Sequence, residues 1–176
     1  MSNKYISLNP EVLYSESAIV SVEKSDIEHF KQLSSCNPRE RIRLCAHASP
    51  EDSLHEMLIV HKRSAYVRPH KHPGKTESTH IIEGLVDVVV FDDDGRIERV
   101  IRMGDYASGK TFYYRMAIPA FHTLLIRSEF LVFHETTNGP FDRSDTIFAP
   151  WAPDDGDVNS VTSYIADLNG RVGLVQ

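Results

Sequence analysis

Cysteine is scarce in this chain: Cys36 and Cys45 are the only two among 176 residues, and no C-x-x-C spacing joins them. A disulfide framework is therefore not expected, and free thiols in a reducing compartment are. No block of Lys or Arg occurs; basic residues stand singly in a chain whose formal net charge is −6. Phosphate backbones want a basic face, so a nucleic-acid partner is not expected. No stretch approaches 18 uncharged apolar residues, and the opening Met1 to Pro10 has no apolar h-region. The expectation is a cytoplasmic protein that neither crosses nor docks on a membrane. Repeats at solenoid or propeller periods and low-complexity segments are absent as well. What remains is a 20.0 kDa chain that suits one domain and can bury roughly two thirds of its unfolded surface.

The pattern along the chain changes near residue 40. Before it, Ser25-Asp26-Ile27-Glu28 has the form of a capping box, and Ile27, Phe30 and Leu33 give a short amphipathic helix that Asn37-Pro38 stops. Residues 1–40 read as an N-terminal helical brace or lid. From Arg41 hydrophobic residues alternate with period two, and 41–47, 54–61, 64–72, 77–91, 96–102, 112–118, 120–126 and 129–136 all read as strands. Asp92-Asp93-Asp94-Gly95 supplies a hairpin turn, with Gly95 suited to a positive φ. So many short strands imply a closed or sandwiched all-β fold over residues 41–153. The tail, 154–176, carries a possible short helix near Ser160 to Leu168. The lone Trp151, between two prolines, is costly to leave in water, so this end is expected to pack on the barrel.

Chemistry concentrates in one window, His70-Lys71-His72-Pro73-Gly74-Lys75-Thr76-Glu77, followed by Gly84. In an extended strand i and i+2 lie about 6.7 Å apart on one face, so His70 and His72 can converge on one ion. Pro73-Gly74 breaks the strand, and the chain resuming at Glu77 can bring a carboxylate beside both imidazoles.

His70-x-His72, Glu77 and Gly84 resemble the first motif of the cupins, and Gly104-Asp105 with Pro119 to His122 looks like a tighter form of the second. Arg41-x-Arg43-x-Cys45-x-His47, Tyr66 to His72, Asp87 to Gly95, Gly139 to Asp142 and Phe148 to Pro153 extend the likeness to the WbuC-type cupin fold metalloproteins over residues 41–153. The resemblance implies a cupin double-stranded β-helix, a jelly-roll barrel of two packed antiparallel sheets. It also makes His122 the fourth ligand of one divalent transition metal ion. His122 shares a strand face with Leu124 and Ile126, as a ligand at the mouth of an apolar barrel would. Three imidazoles and a carboxylate suit Fe, Mn, Zn, Ni or Cu and disfavour Ca or Mg. Four protein ligands leave one or two positions open for water or substrate.

Counting back in twos from His70 puts Arg68 on the ligand face. It either pairs with a structural carboxylate or binds an anionic small molecule. Arg41, Arg43, Cys45 and His47 alternate strictly against Ile42, Leu44 and Ala46. That polar face is either the solvated side of an edge strand or a lining of the mouth that adds Arg41, Arg43 and His47 to a substrate pocket. Tyr114 is a candidate proton donor or simple core filling, and His80 is a candidate catalytic or supporting group on the opposite face from Glu77. His29, His55, His61 and His134 have no partner at metal spacing. These residues point to a metal-binding protein with a pocket for an anionic small molecule, and the enzyme reading is isomerase, epimerase or lyase chemistry on a sugar-phosphate or nucleotide-sugar. The family context suggests surface-polysaccharide biosynthesis, and a homodimer is expected. A non-catalytic sugar- or anion-binding module and an Fe(II)-dependent oxygenase are the alternatives.

Overall fold

The structure, a computed structural model, describes residues 4–175. Two sheets face each other. The first runs, in spatial order, β1 (Tyr5–Asn9), β2 (Val12–Ser15), β3 (Arg41–Cys45), β4 (Leu54–Lys62), β11 (Phe130–Asn138), β6 (Glu77–Glu83) and β9 (Tyr113–Met116). The second runs β12 (Ile147–Phe148), β5 (His70–Lys71), β10 (Phe121–Ile126), β7 (Leu85–Phe91) and β8 (Ile97–Gly104). All neighbours are antiparallel except β2 and β3. The architecture is an all-β jelly roll with a short helix ahead of it.

Alternation decides which residues fill the barrel. Cys45, Met57, Ile59, Ile81, Leu131 and Phe133 from the first sheet meet Val86, Val88, Met103 and Ile126 from the second in one buried cluster. The outer faces are closed by helices. Helix α1 (Lys24–Ser35) covers the first sheet, where Phe30 packs with Ile42, Leu44, Val60 and Val132. Helix α2 (Val158–Gly173) covers the second, where Leu168 and Val172 pack with Val89, Phe91, Phe121 and Leu125. Trp151 lies against Phe91 and Phe121 and donates its indole N–H to Asp93 O. No helix among the described residues is long and apolar enough to cross a membrane.

Several boundaries differ from the sequence expectation. The N-terminal forty residues are more than a helical brace, because β1 and β2 extend the first sheet and Tyr5, Val12 and Leu13 are buried. Helix α1 begins two residues early. Its capping box is Glu23 with Asp26, whose carboxylate accepts from Glu23 N at 2.8 Å, and Ser25 lies inside the helix. The stretch 77–91 is two strands in different sheets, broken at Gly84. There φ is +95° and a Cβ would stand 2.3 Å from Phe130 O, so only glycine makes the corner. Of 64–72 only His70–Lys71 is in a ladder. The final helix extends from Val158 to Gly173.

His61 sits on the inward face of β4 with its ring edge-on to Phe133, and its Nδ1 is buried without a hydrogen-bond partner among the described residues. Burial, reinforced by Arg39, pushes its pKa from 6.5 down to about 4. The unfolded chain therefore takes up this proton first, and the stability His61 permits is lost as pH falls between those two values. Replacing His61 by Leu is expected to remove about 2 kcal/mol of the stability lost between pH 7 and pH 5. Urea unfolding at both pH values measures it, and parallel pH curves for the two proteins would reject it.

Candidate metal centre

The mouth of the barrel is built around a cross-strand pair. His70 on β5 stands opposite His122 on β10, with ring centroids 4.6 Å apart. His72, one residue past β5, leaves on the same face with its centroid 4.9 Å from that of His70. Glu77, the first residue of β6, comes from the facing sheet. Its Oε1 lies 3.3 Å from His72 Nε2 and its Oε2 lies 3.4 Å from His122 Nε2.

The imidazoles are held in one tautomer. The Nδ1 of His70 meets Arg68 O at 2.8 Å, that of His122 meets Ala120 O at 3.1 Å, and that of His72 meets Asp145 O at 3.1 Å. A main-chain carbonyl can only accept, so each Nδ1 carries a proton, and Nε2 is the atom a neutral ring would offer to a metal. This is how ligating histidines are oriented. Burial, together with the neighbouring imidazoles, holds His70 down to about 3 and His122 down to about 4, so both stay neutral. Burial pushes the Glu77 carboxyl up, against the opposing pull of Lys75.

Do these four groups fit a metal? Bonds of about 2.1 Å place adjacent ligand atoms roughly 3.0 to 3.4 Å apart, which is the range of the two Nε2 to Oε distances. Among the described residues no group of three or more His, Cys, Asp or Glu side chains is arranged to hold a metal ion. The tetrad sets three imidazoles beside one carboxylate, and it is the chemistry of this donor set that suits a divalent transition ion.

The other predicted residues are dispersed. Arg68 donates to Asp154 at 2.7 Å and stacks on Phe148, its carbon 4.9 Å from the ring centroid. It is therefore held by a structural carboxylate and is corrected as a free anion anchor. Arg41 is corrected too: Glu11, delivered by the strands ahead of α1, bonds it at 3.0 Å. Arg43 shares the Cys45 face, which is the barrel-lining one. It has no carboxylate within 4.0 Å among the described residues. His47 faces inward but lies flat against His55, with centroids 4.1 Å apart and planes at 3°. Its Nδ1 is engaged by the main chain of Glu56. Tyr114 faces inward opposite Thr79, and burial pushes its pKa up so that it keeps its proton. His80 is corrected as a catalytic candidate. It is exposed on the outer face of β6, paired with His134 and against Phe112, with the sheet between it and Glu77.

One residue was missed. Glu135 lies on the inward face of β11 opposite Thr79, one row from the Thr137 and Glu77 pair, which makes it a diagonal neighbour of Glu77. It makes no ion pair among the described residues, and burial and the Glu77 charge push its carboxyl up. The signal was present: Leu131, Phe133 and Glu135 alternate on one face, and a Glu on an apolar inward face is anomalous.

The comparisons with known proteins agree at the level of fold. What they support is the two-sheet, all-β jelly roll described above. A family model described as a domain of unknown function (DUF6016) matches residues 22–103, a span that contains His70, His72 and Glu77 but ends before His122. The X-ray structure of a Shewanella oneidensis protein is similar with a TM-score of 0.54 at 8% identity, covering 69% of this chain and 82% of that one. A Lactobacillus farciminis oxalate decarboxylase, solved as a formate complex, gives 0.44 at 18% identity over 55% of this chain. The capsular polysaccharide assembling protein CapF from Staphylococcus aureus gives 0.46 at 16% over 56%. This chain spans 27% of each of those two proteins. No curated protein matches it.

If the tetrad is the metal site, wild-type protein loaded with Mn(II) or Zn(II) is expected to hold one ion per chain by elemental analysis. The His70→Ala/His72→Ala double variant should hold far less. Unchanged metal content in the double variant would place the site elsewhere.

Proposed function

We propose that this protein is a metal-dependent enzyme that moves a proton on a small anionic sugar derivative, as an isomerase, epimerase or lyase does. The observation that carries the reading is Glu135, an inward-facing carboxylate without a cationic partner beside three oriented imidazoles and a second carboxylate. Partly burying an unpaired carboxylate costs several kcal/mol, and a function that needs a proton acceptor at that place accounts for it. A bound divalent ion would polarise a carbonyl or hydroxyl oxygen of the substrate.

The chain's own groups divide the remaining work. His70, His72, Glu77 and His122 hold the ion. Glu135 takes the proton from the substrate carbon and returns it, which its raised pKa suits near neutral pH. Tyr114, which keeps its proton, donates a hydrogen bond from the same row of the sheet. Arg43 contacts the anionic end of the substrate, because Arg68 and Arg41 are already paired. The choice of sugar-phosphates or nucleotide-sugars, a setting in surface-polysaccharide biosynthesis and a homodimeric state come from the family resemblance.

The test is to incubate Mn(II)- or Zn(II)-loaded protein with a panel of sugar-phosphates and nucleotide-sugars in deuterated water. Exchange is expected at a carbon next to a carbonyl. Glu135→Gln should slow it by roughly 10²- to 10⁴-fold while keeping its metal. Saturable binding without exchange would replace this reading by a binding module, and oxygen consumption with Fe(II) would replace it by an oxygenase. Inorganic phosphate, titrated by calorimetry, probes the anion contact. Arg43→Met is expected to weaken its binding by about 1.5 to 3 kcal/mol, and equal affinity in the two proteins would remove Arg43 from the site.

A further inference from the structure

Lys75 stands just past the Pro73-Gly74 turn, and its side chain is only 11% exposed. An ammonium taken out of water needs an acceptor for each of its three protons. Its partners come from one segment: it donates to Asn138 O at 3.1 Å and to Pro140 O at 2.8 Å, and it forms an ion pair with the Asp145 carboxylate at 3.3 Å. The segment is tied down on its other side as well. Gly139 N donates to Ser53 O at 2.9 Å, and Phe141 N to Pro50 O at 2.7 Å.

The same segment orients one member of the tetrad. His70 and His122 each find their Nδ1 acceptor two residues back in their own chain segment, at Arg68 O and Ala120 O. His72 does not. Its Nδ1 donates to Asp145 O at 3.1 Å, across a sequence separation of 73 residues, and the Thr146 hydroxyl lies 3.3 Å from the same nitrogen. The aim of His72 Nε2 toward Glu77 therefore depends on where residues 138–146 sit, and Lys75 grips that segment at three points.

We propose that Lys75 is a positioning residue for the metal centre, acting through Asp145 on the orientation of His72. The inference rests on the metal-dependent reading given above. The sign of its effect is diagnostic. Lys75 also lies near enough to Glu77 to pull on its carboxyl, so removing its charge would, by Coulomb repulsion alone, strengthen cation binding. A positioning role predicts the opposite.

Titration of the metal-free full chain with Co(II), followed by its d–d absorption, tests this. Lys75→Met is expected to weaken Co(II) binding roughly 10- to 100-fold, the range for partners that orient a ligand, and to alter the band shape of the bound ion. In a His72→Ala background the same substitution should make no further difference. Asp145→Ala, which leaves Lys75 its two carbonyl acceptors, should also weaken Co(II), and it carries the comparison if Lys75→Met does not fold. Unchanged or tighter Co(II) binding in the folded variants overturns the proposal, as does an equal loss with and without His72. If the wild type takes up no Co(II), the metal reading falls and this inference with it.

Discussion

The mouth of the barrel is organised by one register: His70 opposite His122 on one side and Phe148 on the other. Strand β5 is only two residues long, so its ladder has little strength of its own. It is held because β10 and β12 pair with it on both edges, and because Ala149 N donates to Pro69 O just before it. A slip of one residue would turn His70 out and Lys71 in. The convergence of the imidazoles on Glu77, which arrives from the opposite sheet, therefore depends on this short pairing.

Charge is distributed in an order that composition conceals. Two of the three arginines expected at the mouth are paired with acids instead: Arg41 with Glu11, and Arg68 with Asp154. Arg39 joins the same arrangement through Glu11 and Asp155. These pairs are partly exposed and each adds little to stability. Arg43, exposed on the Cys45 face of β3, has no carboxylate within 4.0 Å among the described residues. Glu77 and Glu135 lie on the same inward sheet face, one row apart. A bound divalent ion would balance two carboxylates to zero, a state a partly buried site tolerates far better than two uncompensated negative charges.

The two helices bear on the site only through the sheets. Phe30 of α1 lies on the outer face of the first sheet against Leu44 and Val132, one residue from Cys45 and Phe133 on the barrel side. Leu168 of α2 packs outside the second sheet with Val89 and Leu125. Both faces of β7 and the central parts of β3 and β4 are thereby largely buried, which stiffens the strands that carry the inward residues. The segment 138–146 has no such backing. Its place is set by hydrogen bonds to Lys75 and to the loop at residues 50–53.

The alternation from Arg41 onward was enough to specify an all-β barrel, because a period of two sends alternate residues to opposite faces whatever the sheet's partners are. The His70, His72 and Glu77 grouping was legible for the same local reason, since a strand and a turn bring them together within eight residues. His122 was placed only by resemblance to a family; the pairing that sets it opposite His70 joins residues 52 positions apart. Tertiary structure alone decided the rest. Whether an arginine is free depends on where acids from the two ends of the chain fold back, and nothing near Arg68 or Arg41 in sequence carries that information. Glu135 was visible as an anomaly on its strand, but its place beside Glu77 required the β11 to β6 register. His72 depends on a carbonyl from a distant loop, a main-chain group that every residue possesses and that no side-chain pattern can announce.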